Sequence, residues 1–136
     1  MTKKLMWGYT LLLGVFTLSG CGLLTADTRD VLTLRLQQVA SVLGTTDRLT
    51  FDAVKGDSRC PPSAVCIWEG VAEVRFTYQH GAEKTTFVLA SMQNPAAFFH
   101  TTYQINGYRF TYVRLTPEYG AKEDASPKVT VQIEKI

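Results

Sequence analysis

Side chains suited to acid–base or metal chemistry are sparse in this 136-residue chain, which has only two histidines. His80 and His100 lie beside predicted turns or loops, where solvated histidines are ordinary. Asp47, Asp52 and Asp57 recur every five residues, which matches no calcium-loop pattern. No G-x-S-x-G nucleophile motif is present, although a Ser-His-Asp triad assembled from distant positions stays open. We therefore expect no enzymatic activity, no metal and no cofactor.

Cysteine is a further residue type that can do chemistry. Cys21 ends the tetrapeptide Leu18-Ser19-Gly20-Cys21. Lys3 and Lys4 precede an uncharged apolar stretch over 5–18, which is shorter than the ~20 residues of a spanning helix. This arrangement resembles the lipobox of bacterial lipoproteins. The resemblance implies that 1–20 are a signal peptide, removed before a Cys21 that carries diacylglycerol and an acyl chain such as palmitate. An ordinary secretory signal cut elsewhere, or an uncleaved anchor, are the alternatives.

The lipobox resemblance also predicts where the chain works. Several acyl chains hold a protein stably on a bilayer, so the membrane itself is one expected partner. Gly22 follows the cysteine, where Asp commonly marks retention in the inner membrane of two-membrane bacteria. We therefore expect a protein of the cell envelope, on the outer membrane if the cell has two membranes.

The charge of the predicted mature chain is balanced. Removing Lys3 and Lys4 leaves 12 basic residues against 12 acidic ones. No basic block that could follow a phosphate backbone remains, so nucleic acid is not an expected partner. The remaining 116 residues suit one domain, which we place at 31–136 after a polar, lipidated tether over 21–30.

The two other cysteines, Cys60 and Cys66, are the only thiols left if Cys21 is acylated. In an oxidising compartment such a pair forms a disulfide, and closing this seven-residue loop is worth ~2.4 kcal/mol in the chain-entropy model. A redox pair or a zinc site is the alternative, but two thiols without a nearby histidine make a poor zinc site. We expect a structural disulfide.

Alternation of apolar and polar residues with period two dominates the rest of the chain. It predicts about seven strands, and it leaves 38–44 ambiguous between a strand and a helical turn. Hairpin turns are expected at 80–82 and at Asn106-Gly107, the latter with Ile105 facing Tyr108. Together these features predict an all-β fold, a small antiparallel sandwich or barrel with one disulfide-stapled loop. The predicted strands are 31–37, 49–54, 71–79, 83–90, 100–105, 108–115 and 128–136.

The most distinctive internal segment is Asp57-Ser58-Arg59-Cys60-Pro61 followed by Cys66-Ile67-Trp68-Glu69-Gly70. It resembles a motif of small bacterial envelope proteins, in which Ala often stands where this chain has Glu69. That resemblance implies no particular reaction. One interpretation is structural, with Trp68 packed over the disulfide and Gly70 allowing a sharp turn. The other is a contact site formed by Arg59, Trp68 and Glu69, because Trp and Arg are common at binding hot spots.

A second candidate surface is aromatic: Tyr103, Tyr108, Phe110 and Tyr112 could form a ligand platform, or could simply pack their hairpin on the core. For function, the sequence favours a non-catalytic binding or interaction module that meets an envelope protein or a cell-wall partner. A hydrolase-inhibitor lipoprotein and a purely structural envelope component are the alternatives.

Overall fold

The computed structural model describes residues 28–118 and 126–136. The predicted signal peptide, Cys21 and most of the predicted tether therefore lie outside the described residues. Within the described residues, no helix is long and apolar enough to cross a membrane.

Two four-stranded antiparallel sheets form the fold, which confirms the predicted all-β sandwich and not the barrel. One sheet has the order β1-β8-β7-β6 and the other the order β2-β3-β4-β5. There are eight described strands instead of seven, because part of the ambiguous segment 38–44 pairs with β3 as the short strand β2. The strands are β1 Arg29–Arg35, β2 Val39–Ser41, β3 Arg48–Asp57, β4 Ala72–His80, β5 Glu83–Ala90, β6 Thr102–Ile105, β7 Tyr108–Thr116 and β8 Lys128–Lys135.

Inward-facing residues of both sheets fill one core, and its largest buried side chains are aromatic. Phe110 is fully buried, and the rings of Phe87 and Tyr103 stack with centroids 4.4 Å apart. Ile105 pairs with Tyr108 across a turn in which Asn106 and Gly107 both have positive φ, as the sequence predicts. Tyr103, Tyr108 and Tyr112 are partly buried against this core, so the hypothesis of an exposed aromatic platform is wrong.

Strand β3 departs from simple alternation. Phe51 pairs with Phe76 and Ala53 with Arg75, which leaves Asp52 as an extra, bulged residue. Beyond the bulge it is Val54 that packs against the core, whereas strict alternation after Leu49 and Phe51 would place Ala53 there. The displaced Asp52 carboxylate accepts a hydrogen bond of 2.6 Å from the hydroxyl of Thr77.

The sandwich has two distinct ends. At the end we call proximal, Thr28 accepts a hydrogen bond from the Lys135 amide, and the Ile136 amide donates to the carbonyl of Gly107. The end we call distal carries the β3–β4 loop (58–71), the β5–β6 loop (91–101) and the start of the β7–β8 loop at Pro117 and Glu118. The described chain therefore enters at one end of the sandwich and presents its longest loops at the other.

Candidate functional site

The β3–β4 loop begins as a continuation of the hairpin. The Ser58 amide donates to the carbonyl of Val71 at 2.8 Å, and the Cys60 amide donates to the carbonyl of Glu69 at 3.0 Å. Cys60 and Cys66 form a disulfide, as the sequence predicts. The ladder at the base and the disulfide above it restrict the conformations that the loop can adopt.

Gly70 sits where the two arms of this loop lie close together. Its φ is +71°, in the left-handed region, and a Cβ atom built at this position would lie 1.8 Å from the Ser58 carbonyl oxygen. Since that neighbour is backbone, it cannot rotate out of the way. The sequence-based expectation that Gly70 permits a sharp turn is confirmed, and the close approach adds a second reason for glycine.

Arg59 lies at the base of the loop and is only 17% exposed at its side chain. Its Nε and Nη2 donate to the two carboxylate oxygens of Asp57 at 2.8 and 2.7 Å. Nη1 donates to the carbonyl of Leu115 at 2.8 Å and Nη2 to that of Pro117 at 3.0 Å. The hydrogen bonds that Arg59 donates to Asp57 raise the pKa of the guanidinium, which therefore stays charged. Arg59 thus ties the loop to the end of β7 in the opposite sheet, and the expectation that its side chain is exposed is wrong, while its role as a contact residue stays a prediction.

The outer part of the loop is apolar and exposed. Val65 and Ile67 are as exposed as in a free peptide, and Trp68 is 62% exposed. Trp68 is therefore not a core residue, as a fully buried cover for the disulfide would be. Glu69, next in the chain, is also exposed. Of the three predicted contact residues, Trp68 and Glu69 face solvent, whereas Arg59 turns inward.

Sequence reasoning missed Phe98, which projects from the neighbouring β5–β6 loop. Its side chain is 85% exposed although its φ is +60°, a conformation that is unfavourable for a bulky residue. A 3₁₀ turn over Pro95–Ala97 and two hydrogen bonds between the backbones of Asn94 and Phe99 hold it there. The signal in the sequence is the uncharged run 91–99, which ends in two phenylalanines.

Between the two loops lies an open cleft of about 490 Å³. Pro62 and Met92 contribute apolar walls, and Glu69 and Glu118 contribute carboxylates. The loops are joined next to this cleft, since the amide of Ala72 donates to the Ser91 hydroxyl at 2.9 Å. The distal end therefore combines exposed apolar side chains with acidic groups at their edge.

A second polar cluster, near the proximal end, is the only place where a charged side chain of the described residues is fully buried. Asp47 is 5% exposed, and it accepts hydrogen bonds from Tyr78 Oη at 2.5 Å and from His80 Nδ1 at 2.8 Å. Burial alone would raise the pKa of Asp47, but the bonds from Tyr78 and His80 lower it overall. Burial, and then the bond to Asp47, raise the pKa of Tyr78 to about 12. The sequence does not reveal this cluster, because its members lie 31 and 33 residues from Asp47.

This cluster makes stability depend on pH at both extremes. Tyr78 stays protonated to higher pH in the folded state than in the unfolded chain. Its contribution to the free energy of unfolding is therefore complete below pH ~10 and falls by up to ~1.4 kcal/mol per pH unit until about pH 12. The lowered pKa of Asp47 has the opposite sign: its contribution is complete above pH ~4 and is lost on further acidification. Urea unfolding from pH 3 to 12 measures both.

Tyr78→Phe should reduce the alkaline slope, while Tyr112→Phe is the control, because burial also raises the pKa of this second described tyrosine. An alkaline slope that is equal in wild type and Tyr78→Phe would contradict this assignment.

Within the described ranges 28–118 and 126–136, no group of three or more His, Cys, Asp or Glu side chains is placed to hold a metal ion. In comparisons with known proteins, no family model, no curated protein sequence and no solved structure shows significant similarity to this chain. The role of the chain must therefore be inferred from the geometry of the distal end and from the sequence motifs.

Proposed function

We propose that the chain is a lipid-anchored, non-catalytic binding module of the bacterial cell envelope, which contacts its partner with the distal end. One observation carries the proposal: three large apolar side chains, Val65, Ile67 and Trp68, are held in water on a stapled loop. Exposed apolar groups clustered on a rigid segment are typical of interaction sites, since folding alone does not call for them.

The construction of the loop favours binding in a second way. The disulfide, the backbone ladder at 58–71 and the paired Pro61-Pro62 restrict the loop before any partner arrives. Ordering a flexible segment on binding costs about 0.5–1.5 kcal/mol for each immobilised side chain, and a restricted loop avoids part of that cost. The arrangement fits a recognition element better than it fits a simple connection between strands.

The two ends of the sandwich fit the proposed anchor. Thr28 lies at the proximal end, and the seven residues 21–27 reach at most ~25 Å. With Cys21 in the bilayer, the proximal end would stay close to the membrane and the distal loops would face outward. A partner in the envelope, whether protein or peptidoglycan, could then reach the distal end without obstruction.

The test of the binding role is Trp68→Ala. Because Trp68 is 62% exposed, its removal should change the free energy of unfolding by less than ~1 kcal/mol. Capture of envelope components by the membrane-bound protein should fall at least tenfold, since a central aromatic anchor at an interface commonly contributes about 2 kcal/mol or more. Val39→Ala, an exposed apolar residue on β2, is the matched control. Unchanged capture by Trp68→Ala would show that the distal loop is not the contact site.

The test of the anchor is Cys21→Ser. It should abolish incorporation of a labelled fatty acid and move the protein from the membrane fraction to the soluble one. Density-gradient separation of the two membranes of a suitable host should place the wild type in the outer one. A wild-type protein without acyl label would refute the proposed location but would leave the distal binding site untouched.

A further inference from the structure

The distal end is unusually poor in charge. Residues 60–68 and residues 91–99 are each nine positions long without a single Asp, Glu, Lys or Arg, in a chain that is 19% charged. These two runs supply the exposed side chains of Val65, Ile67, Trp68 and Phe98. The two loops adjoin the same cleft, so their apolar groups belong to one end of the molecule.

The exposed charged residues that line the cleft at this end are acidic. Glu69 and Glu118 line the cleft, while Arg59 is held by Asp57 and by two carbonyl groups. No other Lys or Arg occurs in the described loop residues 58–71, 91–101 and 117–118. The cleft therefore gives this apolar end an acidic side, whereas the exposed Lys128 begins β8 opposite Thr116.

We infer that this end inserts into an apolar cleft of a partner protein whose rim carries Lys or Arg side chains; the inference rests on the proposed function. The loop protrudes, since Val65 and Ile67 are completely exposed, so its complement is concave. The acidic side calls for a basic rim, because potentials of opposite sign steer two surfaces together.

Two other possible partners of the distal end, a bilayer and a second copy of the chain, fit less well. A bilayer surface is usually anionic and attracts basic segments, whereas the exposed charged residues along the cleft are the carboxylates Glu69 and Glu118. The end also points away from Thr28 and thus from the proposed anchor. A second copy of the chain would bring two acidic sides together, which is unfavourable.

Photocrosslinking in living cells tests the inference. The photoreactive residue p-benzoylphenylalanine is placed in the full-length chain at Val65, at Ala82 in the proximal β4–β5 turn, or at Arg75 on the outer face of its sheet, all exposed. We expect a protein adduct from Val65 and none from Ala82. Mass spectrometry should map the adduct to a cleft bordered by Lys or Arg. Ile67→Asp should reduce the adduct at least tenfold without changing the thermal midpoint.

A charge test on the identified protein completes the experiment. The affinity of the purified pair should fall with added salt, and Glu69→Lys should weaken it at least fivefold. Adducts from Val65 that contain only lipid, or only a second copy of the chain, would overturn the inference, as would a protein adduct insensitive to Ile67→Asp. Adducts from Arg75 with none from Val65 would overturn it and would move the contact surface away from the distal end, although a binding role for the chain would remain. No adduct from any position would count against both.

Discussion

Gly70→Ala is expected to destabilise the fold more than any other single methyl group added at a described glycine. A non-glycine residue at φ +71° costs about 1–2 kcal/mol, and the contact of the new Cβ with the Ser58 carbonyl forces the two arms of the loop apart. Overpacking adds about 1–3 kcal/mol, so we expect a loss of ~3 kcal/mol or more. Urea unfolding followed by circular dichroism measures it.

Gly44 offers a matched control for this prediction. It has the same φ of +71°, but a Cβ atom there would find no atom within 4 Å. Gly44→Ala should therefore lower the free energy of unfolding only by the cost of the left-handed backbone conformation, ~1 kcal/mol. Equal losses for the two variants would show that backbone conformation alone, and not the approach of Ser58, requires glycine at position 70.

After Gly70→Ala, Arg59→Ala should cause the next largest loss of stability. It removes four hydrogen bonds and leaves the Asp57 carboxylate, 20% exposed, without its counter-charge. Removing one partner of a buried ion pair costs about 3–5 kcal/mol, and partial exposure reduces this to ~3 kcal/mol. Thermal unfolding should show a midpoint lower by ~10 °C or more.

Two variants distinguish the loss of the Arg59 hydrogen bonds from the loss of its charge. Arg59→Lys keeps the charge but cannot reach Asp57, Leu115 and Pro117 at once, so it should remain clearly destabilised. Glu69→Ala removes an exposed charge of the same loop and should cost less than ~0.5 kcal/mol. An Arg59→Ala protein with wild-type stability and lost binding would show that Arg59 is a contact residue.

Much of the sandwich is predictable because one face of each long strand is buried. Alternation in β4 and β8 matches their burial residue by residue, and Asn106-Gly107 sets the register of its hairpin. Strand β2 and the bulge at Asp52 escape prediction for a physical reason. A three-residue strand has too little sequence to show a period, and a bulge depends on how a strand pairs with its neighbour.

The candidate site was predicted less completely than the fold. Its disulfide follows from the cysteine inventory, and an ion pair within the Asp-Ser-Arg sequence follows from proximity. The carbonyl groups that accept hydrogen bonds from Nη1 and Nη2 of Arg59 are 56 and 58 residues away in sequence, so no local sequence pattern predicts them. The exposure of Trp68 depends on how far the loop extends beyond the sheets, which spacing in sequence does not encode.

The placement of Thr28 at the end opposite the stapled loop also has a mechanical consequence. A partner that pulls on the distal end of an anchored molecule would draw the start of β1 along its own axis. Strand β1 is held to β8 by register pairs from Arg29 with Glu134 to Arg35 with Lys128. Force in this direction shears the whole ladder at once instead of opening it pair by pair. The same strand that connects the sandwich to its proposed anchor is therefore arranged to resist traction.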